Sequence, residues 1–260
     1  MLLQELPDAV HDGPDRGAFE RGGQANEAAS VELLESLRRE HARTLPRSPA
    51  ARTVAAVLLL AGPGCASHSA GQAGGTVEPA PWTALFDGED LGQWRPTPFG
   101  GEGEVRVADG ALVLDFGSPL TGVTWTGEVP PGDYELELTA TKLAGTDFFC
   151  GLTFPVRDGH LTLVLGGWGG ATCGLSCLDG LDASENETRF VRPFERGRAY
   201  RVTVRVTGSV VEARIDGERV VAVDTAGRAL SLRPEVLASR PLGLAAFATR
   251  AAIEGVRIRR

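Results

Sequence analysis

This sequence of 260 residues is short of several residue types and motifs, and each shortage argues against a class of function. It contains a single lysine, Lys142, and its formal net charge is −8, so no basic stripe is available for the phosphates of a nucleic acid. No apolar run approaches the roughly 20 residues of a membrane-spanning helix. A Gly-x-Ser-x-Gly nucleophile elbow, a phosphate-binding loop and a dinucleotide-binding fingerprint are also missing. We therefore expect no nucleic-acid partner and no membrane-spanning helix.

Cysteine is scarce as well, with four residues in the chain. Cys173 and Cys177 are close enough in sequence to form a disulfide across a tight loop, which would leave one thiol over. Cys150 lies in an apolar segment and is interpreted as a small buried hydrophobic residue. The Cys-x3-Cys spacing without a nearby histidine argues against a zinc site. His160 is assigned to a turn rather than to catalysis.

The N-terminal part of the chain is typical of a targeting region. Residues 1–44 predict a disordered extension or a mis-set start codon. Residues 45–65 combine a basic segment, a short apolar run and a small-residue site, as in a secretory signal, and Cys65 after Gly64 predicts a lipidated bacterial lipoprotein. Residues 66–78 predict a flexible linker. We expect a secreted, periplasmic or membrane-anchored bacterial protein, with lipid at Cys65 as its only membrane contact; the alternative is a cytoplasmic protein with an apolar linker.

Residues 79–260 predict one all-β domain. Tyr134–Thr141 alternates apolar and polar residues, so every second side chain is expected to face a core. Phe148–Phe154 is almost continuously apolar, which indicates a central strand buried on both faces. Many short strands separated by turn residues are typical of a sandwich or a barrel. The other predicted elements are strands within Val105–Asp115, Val123–Trp125, Leu161–Leu165, Tyr200–Thr207, Val210–Ile215, Val220–Val223, Gly243–Ala248 and Ile253–Arg259, and one helical turn within Ala229–Leu237.

Several segments of this domain resemble a known family in their order and spacing. They are Trp82–Trp94, Gly132–Leu138, Phe194–Tyr200, Ala213–Val221 and Pro241–Ile258. Together they are similar to the bacterial 3-keto-disaccharide hydrolase domain family over essentially all of the predicted domain. The resemblance implies an antiparallel jelly-roll β-sandwich of the concanavalin and laminin-G type, and a hydrolase acting on 3-keto-disaccharides or glycosides. Phe149–Pro155 departs from the family pattern, because the strand that usually carries a substrate-face arginine has none here.

Candidate chemistry is concentrated between Leu165 and Arg189. Trp168 lies among glycines, which would expose its ring for stacking on the C–H face of a sugar; alternatively it fills a gap in the core. The acidic residues that follow could raise one another's pKa and act as acid and base, hold Ca²⁺ or another divalent metal, or form a solvated loop. We predict four of them as catalytic: Asp179, Asp182, Glu185 and Glu187. The predicted substrate contacts are Trp168, Arg189, Asn186 and Asp147.

A second carboxylate pair, Glu135 and Glu137, is interpreted as an outward polar strand face. A 3-keto group acidifies the C2 proton, so the resemblance implies cleavage by elimination and hydration, with a carboxylate base and with Arg189 steadying the enolate or sugar oxygens. Two other functions stay open. One is a non-catalytic, lectin-like glycan-binding module at the cell surface, and the other is a structural or partner-binding laminin-G-like domain.

Overall fold

The computed structural model describes residues 80–260, which form fifteen strands and one 3₁₀ helix. The predicted extension, signal, linker and lipidated Cys65 lie outside the described residues. Within 80–260, no helical segment has the length and hydropathy needed to span a lipid bilayer. In chain order the elements are β1 (Thr83–Ala84), β2 (Trp94–Pro96), β3 (Val105–Ala108), β4 (Ala111–Leu114), β5 (Leu120–Trp125), β6 (Tyr134–Gly145), β7 (Cys150–Val156), β8 (Gly159–Gly167), β9 (Thr172–Ser176), β10 (Phe190–Val191), β11 (Ala199–Thr207), β12 (Val210–Ile215), β13 (Glu218–Asp224), the 3₁₀ helix (Pro234–Ser239), β14 (Gly243–Phe247) and β15 (Thr249–Arg259).

The strands form two antiparallel sheets that enclose a common core. The first sheet has the order β13-β12-β11-β6-β15-β4-β3, with β1 also paired to β15. The second sheet has the order β10-β9-β8-β7-β14-β5-β2. Strands distant in sequence therefore become neighbours, as in β6 beside β15 and β7 beside β14. The prediction of an all-β antiparallel sandwich of the jelly-roll type is confirmed.

Alternation of side chains explains how each sheet builds one wall of the core. In β6, Tyr134, Leu136 and Leu138 are buried, while Glu135 and Glu137 between them are only partly buried. The two glutamates pair with Arg259 and Arg257 of β15, on the side of the sheet away from the core. Both the predicted core face and the predicted outward polar face of this strand are confirmed.

Two local features differ from the sequence-based predictions. No strand was predicted directly after Trp168, but Thr172–Ser176 forms β9 between β8 and β10, with Cys173 and Leu175 in the core. The strand alternates polar and apolar residues over only five positions, and the glycines around it weaken this signal in the sequence. His160 is the second residue of β8 and lies opposite Pro155, because the hairpin turn is only two residues long. Burial lowers the pKa of His160, with a smaller contribution from Arg240.

The disulfide that the sequence left open between Cys173 and Cys177 is not formed. Cys150, Cys173 and Cys177 are all free and buried. Cys173 lies inside β9 and packs in the core, and Cys177 directly follows the strand. Burial raises the pKa of Cys150 to about 12 and that of Cys173 to about 11, so both thiols act as small apolar side chains, as predicted for Cys150.

The start of the domain is anchored by Trp94, which is fully buried. Its indole Nε1–H donates a hydrogen bond of 2.9 Å to the carbonyl of Leu85, and its ring packs against Trp125 with centroids 5.2 Å apart. The backbone N–H groups of Leu85 and Phe86 both donate to the carbonyl of Val256 in β15. One aromatic side chain thus ties the first segment of the domain to both sheets.

We expect Trp94→Ala to lower the free energy of unfolding by about 3–5 kcal/mol, because it opens a large cavity in the core. Trp94→Phe retains most of the ring and removes the donor, which should cost about 1–3 kcal/mol. Urea unfolding followed by circular dichroism measures both changes. Trp168→Ala is the control, since Trp168 is exposed and its loss should stay within about 0.5 kcal/mol. Equal losses for Trp94→Ala and Trp168→Ala would contradict the anchoring role.

Candidate functional site

The second sheet has a face turned away from the core, and its central side chains are small. In β8, Leu161, Leu163 and Leu165 face the core, so Thr162 and Val164 point to the other side. Thr162 lies opposite Ser176 of β9 and opposite Thr153 of β7, and the Thr153 and Thr162 hydroxyls are 2.9 Å apart. This face therefore has the shape of a shallow trough with hydroxyl groups in its floor.

The 3₁₀ helix and its flanking residues lie across this trough. Thr124 of β5 donates a hydrogen bond of 2.9 Å to the carbonyl of Ala238. Val236 packs with Leu120 of β5 and Ala245 of β14. The covered trough leaves a pocket of about 230 Å³, smaller than the roughly 300–1,000 Å³ of most ligand-binding cavities. Its lining residues are Leu120, Asp147, Phe148, Thr162, Val164, Trp168, Ser176, Arg233, Glu235, Val236 and Phe247.

Trp168 stands at this pocket on a turn with unusual backbone angles. Its φ is +49°, and Gly166, Gly169 and Gly170 around it also have positive φ. A bulky side chain rarely adopts this left-handed conformation, and such outliers are concentrated at functional sites. The side chain is 44% exposed. Of the two sequence-based interpretations, the exposed ring is confirmed and the core-filling role is wrong.

Asp147 fixes the turn that carries Trp168. One carboxylate oxygen accepts from the backbone N–H of Gly169 at 3.2 Å, and the other accepts from the N–H of Phe148 at 2.8 Å. The backbone of Asp147 is in turn held by the hydroxyl of Thr249. Lys142 lies nearby; burial lowers its pKa, and the negative charge of Asp147 opposes that effect. Asp147 and Trp168, two of the predicted substrate contacts, therefore do meet at one pocket.

Arg233 and Glu235 form the charged wall of the pocket, and the sequence analysis missed both. A guanidinium nitrogen of Arg233 lies 3.0 Å from the Glu235 carboxylate, and another lies 2.6 Å from Asp182. The Arg233 hydrogen bond is the main reason that the pKa of Glu235 lies below its ordinary value. Arg233 is the one basic residue among those that line this pocket. Both charged side chains are nearly half exposed and can reorganise around a ligand.

Two of the four predicted catalytic carboxylates form ion pairs with Arg228, which is outside the pocket lining. Asp179 and Glu187 both pair with Arg228, and Asp179 also accepts from the N–H of Ala229 at 2.8 Å. The Ala229 hydrogen bond, followed by Arg228, lowers the pKa of Asp179, and Arg228 lowers that of Glu187. Neither carboxylate lines the pocket. Asp179 does act to raise the pKa of Glu187, as expected, but the hydrogen bond and charge of Arg228 outweigh it and the net shift of both carboxylates is downward.

The other predicted residues of this loop are also outside the pocket lining. Asp182 reaches the pocket only indirectly, by holding Arg233. Glu185 and Arg189 are exposed. Asn186 is buried and donates to the carbonyls of Leu175, Leu181 and Asp182, while its own oxygen accepts from Thr188. All its polar atoms are used in closing the loop, and its predicted contact with substrate stays a prediction.

A metal site was one interpretation of the acidic loop. Within residues 80–260, no three His, Cys, Asp or Glu side chains are grouped so that they could hold one metal ion. The loop carboxylates spread toward two arginines, Arg228 and Arg233, instead of converging on a common point. The residues that line the described pocket offer one charge pair, Arg233–Glu235, a further carboxylate on Asp147, two hydroxyls and three aromatic side chains.

The family is decided by sequence comparison across this domain. The profile of the 3-keto-alpha-glucoside-1,2-lyase-like domain family matches residues 81–259. The chain belongs to this family. The match covers both sheets and the pocket, and it confirms the resemblance inferred from the ordered segments. Among curated proteins, none matches this lyase-like chain.

Several solved structures are similar to this lyase-like domain at low sequence identity. A glycosyl hydrolase described as putative, from Parabacteroides distasonis, is 15% identical with a TM-score of 0.45, covering 68% of this chain and 93% of its own. Carbohydrate-binding module CBM66 from Bacillus subtilis is 11% identical with a TM-score of 0.46, covering 65% and 96%. Domain 4 of an extracellular arabinanase from Geobacillus stearothermophilus, in complex with arabinotriose, is 17% identical with a TM-score of 0.47, covering 70% and 94%.

Proposed function

We propose that this domain cleaves 3-keto-α-glucosides by elimination, in the pocket beneath the 3₁₀ helix. The observation that carries the proposal is the Arg233–Glu235 pair, with opposite charges 3.0 Å apart on one wall of the pocket. In a 3-keto-glucoside the acidic C2–H bond and the C3 carbonyl oxygen are on adjacent carbons. A carboxylate and a guanidinium at this spacing suit those two groups.

In the proposed reaction, the Glu235 carboxylate removes the proton from C2. The electron pair of that bond moves onto the C3 oxygen, and Arg233 stabilises the resulting enolate. When the C3 carbonyl re-forms, a double bond forms between C1 and C2 and the bond from C1 to the glycosidic oxygen breaks. The departing oxygen takes the proton from Glu235, which restores the carboxylate. The products are an alcohol and an enone, and addition of water to the enone completes hydrolysis.

The other polar groups of the pocket position the sugar in this proposal. The exposed indole of Trp168 stacks on the C–H face of the ring. Thr162 and Ser176 in the floor offer hydroxyl groups to the sugar oxygens. Asp147 acts through Trp168 by holding its turn. Asp182 likewise acts through Arg233, which is a positioning role, while the direct catalytic role predicted for the acidic loop stays a prediction.

The direct test uses purified protein with 3-keto-trehalose, 3-keto-sucrose and the unoxidised sugars, with and without divalent metal. We expect release of the aglycone from the keto-sugars alone, with an enone absorbing in the near ultraviolet before water adds. Equal release from unoxidised sugars would contradict elimination and indicate ordinary glycoside hydrolysis.

A second candidate function is a glycan-binding module without catalysis. The observation that favours it is that Trp168 is exposed at the pocket, while two of the four predicted catalytic carboxylates, Asp179 and Glu187, pair with Arg228 outside the pocket lining. This function predicts sugar binding without turnover, and with no effect of Glu235→Gln on affinity.

We expect Trp168→Ala to weaken sugar binding about tenfold, which corresponds to about 1.4 kcal/mol, under either function. The indole is the largest exposed apolar surface at the pocket mouth, so its removal eliminates the stacking contact. Isothermal titration with an unoxidised disaccharide measures the change. Leu181→Ala, an exposed apolar residue in the acidic loop, is the matched control and should bind normally. Unchanged affinity in Trp168→Ala would remove the indole from the site.

Secretion and lipidation of Cys65 belong to the same proposal, since an extracytoplasmic enzyme would meet such glycosides outside the cell. Mass spectrometry of the native protein tests both, because a lipidated chain would begin at Cys65 with acyl groups attached. An unprocessed N-terminus would contradict them.

A further inference from the structure

The register of the second sheet divides the pocket into two chemically different halves. Thr162 and Ser176 are paired neighbours on β8 and β9. Phe247 and Leu120 are paired neighbours on β14 and β5. With neighbouring strands about 4.8 Å apart, β8 and β14 on either side of β7 are separated by about 10 Å. The pocket therefore extends across several strands, with hydroxyls at one side and apolar side chains at the other.

The 3₁₀ helix and the residue before it run from the polar half to the apolar half. Arg233 is bonded to Asp182 in the loop that follows β9, which places the charged pair with Glu235 at the polar side. Three residues further on, Val236 packs with Leu120 of β5. The Arg233–Asp182 ion pair and the Val236–Leu120 contact therefore fix the direction of this segment. Like the strands below it, the segment is polar on one side of the pocket and apolar on the other.

The apolar half has aromatic walls. Phe148 and Phe247 pack with ring centroids 5.7 Å apart at an interplanar angle of 38°. Both belong to the same apolar cluster as Leu120 and Val236, together with the partly buried Phe99. Leu120, Phe148, Val236 and Phe247, which line this half, have hydrocarbon side chains, and both carboxylate oxygens of the adjacent Asp147 already accept from backbone N–H groups. A hydroxyl group placed here would leave water without gaining a side-chain hydrogen-bond partner.

We infer that the ligand of this pocket is an aryl glycoside, with its sugar in the polar half and an apolar aromatic aglycone in the half formed by Leu120, Phe148, Val236 and Phe247. The inference rests on the proposed function, which places C2 and C3 of the sugar beside Arg233 and Glu235. In the inferred arrangement the anomeric oxygen is placed toward β14 and β5. A disaccharide would put the hydroxyls of its second ring against hydrocarbon, whereas a phenyl ring would bury its surface there and gain edge contacts with two aromatic rings.

The test compares binding of unoxidised phenyl α-glucoside, methyl α-glucoside and trehalose by isothermal titration, using the full chain. These ligands lack the ketone, so elimination does not interfere. We expect phenyl α-glucoside to bind at least tenfold more tightly than methyl α-glucoside, and trehalose to bind no more tightly than methyl. In Phe247→Ala the phenyl preference should fall to about threefold or less, while the methyl affinity stays the same.

A second variant, Val236→Thr, tests the apolar half in case Phe247→Ala does not fold. Val236→Thr has nearly the same shape and should also reduce the phenyl preference, because it places a hydroxyl in the apolar half. Val210→Thr makes the same change at an exposed position of β12 and should leave all three affinities unchanged.

The outcomes separate the inference from the proposed function. Equal affinity for phenyl and methyl glucosides, or tighter binding of trehalose than of phenyl glucoside, would overturn the aryl-glycoside inference and leave the sugar site standing. Absence of binding by all three would overturn the sugar site, and the inference with it. A phenyl preference that survives both Phe247→Ala and Val236→Thr would overturn the assignment of the apolar half.

Discussion

Glu235→Gln is expected to lower turnover of 3-keto-trehalose by about 10²- to 10⁴-fold, the usual contribution of a positioned general base. Glutamine keeps the size of the side chain and its hydrogen bond from Arg233, but it cannot accept the C2 proton. Substrate binding should change little, because the exchange adds no bulk to the pocket. The measurement is kcat and KM from initial rates of aglycone release, with affinity measured separately by titration.

The matched control is Glu185→Gln, which makes the same chemical change in the acidic loop, at an exposed side chain outside the pocket lining. We expect it to be as active as the original protein. The reverse result, with Glu185→Gln inactive and Glu235→Gln active, would return the catalytic site to the acidic loop predicted from sequence.

Arg233→Gln is expected to lower turnover by about 10²- to 10³-fold, as does loss of one oxyanion-stabilising donor in other enzymes. The enolate oxygen would lose its positive partner, and Glu235 and Asp182 would lose theirs. Arg228→Gln is the matched control, because Arg228 also pairs with two carboxylates but does not line the pocket. Equal losses of turnover in Arg233→Gln and Arg228→Gln would mean that both arginines only stabilise the loops to which they are bonded.

The residual activity of Arg233→Gln should also have a shifted pH profile. Glu235 acts as a base only when ionised, so activity falls as the pH falls through its pKa. The hydrogen bond from Arg233 lowers that pKa, which places the acidic limb below the ordinary glutamate value of 4.5. Without Arg233 the pKa rises and the limb moves to higher pH. Rate profiles from pH 3 to 7 measure the shift, and an unmoved limb would show that another group sets it.

Fold prediction from this sequence succeeded where local pattern and burial agree. The alternation of β6 follows from the two-residue period of a strand, and the apolar run of β7 follows from its central position in the second sheet. It failed at β9, whose five residues lie between a glycine-rich turn and an acidic loop. The glycine-rich and acidic composition of the flanking segments favoured a loop, and the alternation of five residues was too short to indicate a strand.

Site prediction was weaker, because a cluster in sequence is not a cluster in space. Asp179 and Glu187 are neighbours along the chain, yet the loop turns them toward Arg228. Glu235 and Asp147 are 88 positions apart in number, yet both line one pocket. Nothing near Glu235 in the sequence signals chemistry, apart from an Arg-Pro-Glu segment that was interpreted only as a helical turn.

The sequence by itself determined the all-β sandwich and the family, because alternation and turn residues act over a few residues, whereas it left open whether Trp168 is exposed. Only the tertiary structure decided which charges share a pocket. That outcome depends on pairing between strands far apart in the chain, on the path of the 3₁₀ helix across the second sheet, and on which arginine neutralises which carboxylate. Each of these is set by long-range packing, which leaves no periodic mark in the sequence.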